Sequence, residues 1–596
     1  MTLSARELPA DENLRTIDAG RSFVEQAHIK PEAFWPFWGP CQVRLLIVAD
    51  GSLDFSEGDF GLSTFVRSLL DMPGRYVRFR ITLAHINNVS ATQMLDSESR
   101  IVRRVTGFKF DVADHFKPDM FDEVMLFGIL TSAFGRGNDA SGQPYPTNRL
   151  GDAELRALTQ FMNAGGGLFA TGDHGALGRF LCHAVPRARN MRLWQSTAAQ
   201  EALDEVSMTG ERRNDTNRIG KSAGSQFDDQ SDDTPQFVYP RIYQRTTGLF
   251  RHSFPHPLLC GPNGMIRVMP DHPHEGECVT PSNTGSSLNF GGALGAEYPD
   301  ATDGGAKPVP EVISTSIVFS GMTAEGQFGS MKQPTQSQTF GGICAYDGHR
   351  AGVGRVVTDA TWHHFVNVNL IGQLVPPLAA SNAKSRNHPG GGGFLASAAG
   401  RAHLAQIRTY YRNIAVWMAP PPRIKCMNTR LVWDVLWSGR ILEAVMSTVD
   451  LRVVDVQPHI LLHIGKHARD VLGQYASQCQ TTRLILDLVV QPALPRLVPD
   501  IDPWLPEPAQ RRPPPDRVDW FDGTLLLDIG LGAALLGLRE AFPQPDADTA
   551  AELDTDRVAG VMSDAGRVGI EQALASAVAN ANTVSRYFDV GRETGE

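Results

Sequence analysis

No run of apolar residues in this sequence is long enough to cross a bilayer. The most apolar stretch, Leu525 to Leu538 (LLLDIGLGAALLGL), spans 14 residues and carries Asp528, against the ~20 that a spanning helix needs. No membrane partner is expected. Positive charge is also scarce: 55 Lys and Arg face 65 Asp and Glu, a net charge of −10. No global positive field is available to hold a polyphosphate by counterion release, and nucleic acid is excluded as the main partner. The seven cysteines, at 41, 182, 260, 278, 344, 426 and 479, are odd in number and form no C-x-x-C pair. That spacing fits neither a disulfide framework nor a cysteine zinc cluster. The opening segment MTLSARELPADENLRTIDAG lacks a basic stretch followed by an apolar one, so no secretion signal is expected and a reducing cytoplasm is the implied setting.

What is present is ordinary globular composition, 42% hydrophobic and 20% charged. The 596 residues exceed what one core holds, about 250–300, so at least two domains are expected. Residues 1–40 end in PEAFWPFWGP, where Pro36 and Pro40 break regular pairing, and read as a lead-in segment. Val43 to Ala49 (VRLLIVA) is a continuous apolar run, the mark of a strand buried on both faces. Phe60 to Leu70 has helical spacing and Tyr76 to Ala84 alternates with period two, completing a βαβ unit. Phe121 to Phe127, Asp152 to Met162, Gly167 to Thr171 and Gly354 to Asp359 continue the alternation as strand, helix, strand, strand. The expected fold is α/β: an open, mainly parallel sheet flanked by helices over 41–375, with a long irregular insertion at 183–340 placed at the sheet's carboxyl edge. The Gly and Ala-rich segment 376–401 reads as a linker. Helix-compatible spacing at Ala402 to Trp417, Leu431 to Met446, Ile464 to Leu488 and Leu525 to Phe542 makes 402–596 a mostly α-helical C-terminal domain.

The segment GGGLFATGDHGALG, Gly165 to Gly178, runs from a buried strand through a Gly-flanked polar tip into a predicted helix. Such an elbow lifts one side chain above the sheet and aims backbone N–H groups at the same point, which suits a nucleophile or an oxyanion. His174 stands at the tip, with Asp173 before it. With this motif and the strand leading to TWHHF, residues 43–373 resemble the class I glutamine amidotransferase-like superfamily, especially its trehalose-utilisation-like (ThuA-like) branch. The resemblance implies a flavodoxin-like arrangement and a cleft at the elbow. It also implies a Cys at the tip, where this sequence has His174, so cysteine-dependent glutaminase chemistry is not expected. Cys182, eight residues beyond the tip, is expected to face the core two helical turns on.

Two further groups could share the cleft. PDHPHEGEC supplies Asp271, His272, His274, Glu275 and Glu277 on a Pro-broken loop. This donor set suits Zn²⁺, Mn²⁺ or Fe²⁺ without matching an established metal spacing, and equally suits a solvated loop paired with Arg. GRVVTDATWHHFVNVN places Asp359, His363, His364 and Asn367 just after a buried strand, and the resemblance aligns His363 with the family's histidine. Asp50, Asp54, Glu57 and Asp59 follow the first strand and could add a carboxylate, although turn formation and capping also explain them.

The expected function is that of a hydrolase-like enzyme. Asp173, His174, His363, His364 and Glu275 would act on a small, carbohydrate-related polar substrate, with His174 or His363 as general base on water. A divalent metal such as zinc, held by His174, His272, His274 and His363, is the cofactor left open. The alternative is a catalytically silent sensor or scaffold, its sheet domain holding a ligand and its helical domain a protein partner or a second copy.

Overall fold

The computed structural model describes residues 38–71, 76–173, 176–194, 235–247, 250–270, 277–318, 338–372, 393–437, 441, 445, 452–505, 523–543 and 553–593. A ten-stranded sheet forms its centre. The strands are β1 (Cys41–Ala49), β2 (Val77–His85), β3 (Arg103–Thr106), β4 (Glu123–Phe127), β5 (Gly167–Thr171), β6 (Gln236–Pro240), β7 (Val268–Met269), β8 (Glu311–Val318), β9 (Gln338–Tyr346) and β10 (Val356–Asp359). Their spatial order is β7-β6-β8-β9-β10-β5-β4-β1-β2-β3. The strands from β10 to β3 pair in parallel, and those from β7 to β10 pair antiparallel.

The parallel half follows from the apolar runs. Successive β1 side chains go to opposite faces, so Leu45, Ile47 and Ala49 enter one core while Leu46 and Val48 enter the other. Both cores exist because helices cover both faces: α1 (Ser63–Leu70) on the first, α2 (Asp152–Asn163) on the second. The chain moves outward from β1 through β2 to β3, then returns to build β4, β5 and β10 on the other side. The strand order therefore reverses between β1 and β4, and the crevice beyond their carboxyl ends is the ligand-binding place of such sheets.

The insertion corrects the expectation of an irregular segment. It contributes β6, β7 and β8 and the start of β9 to the sheet itself. Serines occupy strand positions in β8 (EVISTSIV) and glycines in β9 (QTFGGICAY), so polarity and Gly content hid two eight- and nine-residue strands.

Helices α5 (Ala398–Met418), α6 (Pro421–Leu436), α7 (Pro458–Tyr475), α8 (Gln478–Ile485), α9 (Thr524–Ala541) and α10 (Thr555–Glu593) follow the short α3 (Arg179–Cys182) and α4 (Asn367–Ile371). The expected helix at 464–488 is broken at Ser477, whose φ of 98° no continuous helix accepts. The 39-residue α10 was not foreseen. The proposed linker falls mostly outside the described residues, but one contiguous apolar cluster joins the sheet face of β1, β4 and β5 to side chains of α5 through α10. The apolar run 525–538 is α9, which packs between α7 and α10. Gly532 in α9 and Gly465 in α7 lie against opposing backbone that a Cβ would strike, and Asp528 is buried in an ion pair with Arg469. A core helix thus accounts for the stretch, and no helix among the described residues is long and apolar enough to cross a membrane.

Cysteine usage needs a second correction. Cys41 at the start of β1 and Cys426 in α6 form a disulfide with Cα atoms 5.9 Å apart. Partners 385 residues apart cannot be matched by local spacing, which is why the count alone argued against any bridge.

Candidate active site

Beyond β5 the described residues on either side of the tip of GGGLFATGDHGALG come together, and the helix that follows is shorter than expected. The Asp173 N–H donates to the Leu177 carbonyl at 3.0 Å, closing a tight loop. Gly178 turns the chain at φ 92°, pressed against Gly128 and Gly172 where a Cβ would collide. The α3 that follows has only four residues, so the expected helix N-terminus for an oxyanion is not built. The tip residue His174 lies outside the described residues.

The segment after β10 docks on this elbow. The Trp362 N–H donates to the Gly172 carbonyl at 2.8 Å, and residues Trp362–His364 form a short 3-10 turn capped by Thr361, whose Oγ1 accepts from the His363 N–H. The same hydroxyl donates to Asp173 Oδ1 at 2.9 Å. Asp173 Oδ2 lies 3.3 Å from His363 Nε2, and the His363 side chain is only 6% exposed. On the other side of that ring, Nδ1 is 3.2 Å from Asn369 Oδ1, and Trp362 stacks on the imidazole with ring centres 4.1 Å apart. Asp173 and His363 thus lie side by side, and the amide beside the ring is Asn369 and not Asn367. Asn367 instead ties α4 to the loop after β1, accepting from the Thr64 N–H at 3.0 Å and donating to the Gly58 carbonyl at 2.8 Å.

A second carboxylate and imidazole pair sits behind the first. His364 Nδ1 is 2.7 Å from Asp359 Oδ1, while Asp359 Oδ2 accepts from the Tyr410 hydroxyl at 2.7 Å. The Tyr411 hydroxyl donates to the His364 carbonyl at 2.5 Å. Burial and the Asp359 charge hold the Tyr410 phenol well above the usual range, so it stays a neutral donor. Both tyrosines come from α5, which makes the helical region a wall of the site.

Arg192, which the sequence offered no reason to single out, is fully buried beneath both pairs. It donates to the Asp173 carbonyl at 2.8 Å and the Ala360 carbonyl at 2.7 Å, and its guanidinium lies over the Trp194 ring at 4.5 Å. Burial pushes its pKa down, while Cys278, Asp173, Cys182 and Asp359 act in the opposite direction. One cation thus sits among two carboxylates.

Asp50 occupies the crevice where the strand order reverses. Its Oδ1 accepts from the N–H groups of Ile129 and Leu130, just beyond β4, at 2.6 and 3.1 Å. Its Oδ2 is buried without a hydrogen-bond partner. Desolvation raises its pKa to about 7 against those two backbone bonds. The other carboxylates after β1 are structural: Asp54 closes a turn on Ser56, and Glu57 accepts from Arg67 and Ser63. Cys182 is fully buried, its thiol pushed far up by desolvation and by Asp50, and it points at the Thr171 carbonyl. That agrees with a core position, although one reached in four helical residues and not two turns.

Of the PDHPHEGEC loop, Asp271, His272, His274 and Glu275 lie outside the described residues. Glu277 accepts from the Gly341 N–H at 3.1 Å and so serves β9. Among the described residues no three His, Cys, Asp or Glu side chains converge as a metal site. Comparison with family models, with curated proteins and with solved structures found no match to this chain.

Proposed function

We propose that the chain is a hydrolase-like enzyme of the amidotransferase-like superfamily, close to its ThuA-like branch, in which an Asp173 and His363 unit acting on water replaces the nucleophilic cysteine. The observation that carries this reading is the meeting of Asp173 and His363, from distant parts of the sequence, at the carboxyl edge of a parallel sheet. Asp173 at Nε2 stabilises the imidazolium that forms when the ring takes a proton, the role a buried aspartate plays in a catalytic triad. Nδ1 faces the Asn369 amide oxygen, to which only a protonated Nδ1 can donate; to act as the base Nδ1 gives up that proton, and a substrate water then takes the place of the Asn369 contact. His364 and Asp359 hold the turn in place behind it. The substrate is a small polar molecule of carbohydrate-like character.

A metal fits the described residues poorly. Both nitrogens of His363 face protein oxygens, those of Asp173 and Asn369, so the ring offers no lone pair outward, and no step is routed through zinc. A sensor or scaffold is the second reading, favoured by the same low exposure of His363.

The test is a hydrolysis screen of the purified full chain on p-nitrophenyl esters, phosphates and glycosides. His363→Gln and Asp173→Asn should each lower turnover by about 10²-fold or more with unchanged circular dichroism. Turnover that survives His363→Gln would overturn the mechanism. Saturable binding of a sugar without turnover would establish the sensor instead.

A further inference from the structure

A cavity of about 320 Å³ lies between α5 and the turn at Gly261 to Gly264, away from the histidine pairs. Arg401, Arg408 and Arg412 line it. At i, i+7 and i+11 they share one face of α5, because seven residues make nearly two full turns and eleven make three. Thr409 also lines it, its hydroxyl donating to the Ala405 carbonyl and its methyl turned to Gly261, and Pro262 and Asn263 form the facing wall. No Asp or Glu belongs to the lining.

We propose that this cavity binds the phosphate group of a small organic phosphate. Three arginines and no carboxylate line it on a chain whose net charge is −10, so the local sign runs against the whole. Ordinary surface arginines find carboxylates, yet Arg401 donates to the Leu395 carbonyl and Arg412 to the Ser68 carbonyl, both neutral acceptors. The Arg408 Nε is buried without a hydrogen-bond partner. Arg412 is pushed down by burial and by the Arg408 charge beside it, while Tyr76 and Asp71 act the other way. Asp71 is already held by Arg100 at 2.6 Å, and burial keeps the Tyr76 phenol protonated. Two neighbouring arginine charges with no carboxylate in the lining are best satisfied by an anion that accepts from both. A phosphate does so, since its oxygens match the fork of the guanidinium. The volume lies at the lower end of small-molecule sites and leaves room for more than the phosphate itself. A half-enclosed cavity with three cations is too small for a nucleic acid strand.

Titration of the full chain with inorganic pyrophosphate, at ionic strength held constant with NaCl, tests this by calorimetry and thermal shift. The parent should bind saturably and melt at higher temperature with ligand. Arg408→Gln should weaken binding by about tenfold or more, the scale of losing a charge-assisted hydrogen bond. Asn263→Asp, an exposed position that tolerates a carboxylate, gives the same reading if Arg408→Gln fails to fold. No saturable binding by the parent, or binding by the folded variant equal to the parent's, overturns the proposal.

Discussion

Asp50→Asn separates the ionisation of the switch-point carboxyl from its hydrogen bonds. The Asn Oδ1 can still accept from Ile129 and Leu130, whereas the charge is gone. In the folded chain Asp50 titrates at about 7, raised from the ordinary 3.8 by burial. Each pH unit between those values is worth about 1.4 kcal/mol, so holding this carboxylate costs the fold about 4 kcal/mol once the pH exceeds 7. The direction follows from proton counts. Between 3.8 and about 7 the folded state binds more protons than the unfolded, so stability falls as pH rises through that window and levels off above it. The replacement carries its own penalty: the new amide stands where Oδ2 has no partner, at about 1–3 kcal/mol independent of pH. The variant should therefore be less stable than the parent at pH 4 and more stable at pH 8, with a crossover between. Urea midpoints of both proteins, followed by far-UV circular dichroism from pH 4 to 9, give the difference directly, and unfolding steps that do not involve β1 cancel in it. A difference that is flat with pH, or that falls as pH rises, would refute the burial of an ionisable Asp50.

Glu123 in β4 is a stronger case, with both carboxyl oxygens buried and unpartnered and its pKa held well above the usual range by desolvation and by Asp122. Glu123→Leu should stabilise the chain increasingly as pH rises above about 4.5, by up to ~1.4 kcal/mol per unit, measured by the same midpoints. Tyr410→Phe removes the donor to Asp359 and should cost about 1–3 kcal/mol, again read from urea unfolding. Cys182, buried and with its thiol pushed far up, should stay unlabelled by iodoacetamide at pH 8 in the native chain and become labelled in urea, as peptide mass spectrometry would show; native labelling would restore a thiol mechanism.

The parallel half of the sheet was legible because each strand is buried on both faces and must read as an apolar run, as Leu45 to Ala49 and Gly167 to Thr171 do. The antiparallel half was not, since β8 and β9 alternate or carry Gly and Ser, and such text is shared with loops. In the site, Asp173 and His363 were found because fold topology brings the ends of β5 and β10 together. Arg192 and Asn369 escaped because their roles depend on which carbonyl or ring lies opposite, a property of tertiary contact. The same holds for Tyr410, read from the sequence as plain core: its ring is buried, but its hydroxyl completes Asp359.

The Cys41 and Cys426 bridge, between partners 385 residues apart in sequence, closes the whole ten-stranded sheet and the candidate site into one covalent ring, with only the helices beyond Cys426 and the segment before Cys41 as tails. A single backbone cut inside that ring, in the insertion or anywhere in 376–401, leaves one molecule on a non-reducing gel, and two bands emerge only after a thiol is added. A cut beyond Cys426 frees a fragment at once. Gel mobility with and without reductant therefore maps the position of a nick relative to the ring, not the boundary between folding units. New ends opened at an exposed turn within the ring would remain tethered through sulfur, so the backbone between sheet and helices could be severed without separating them.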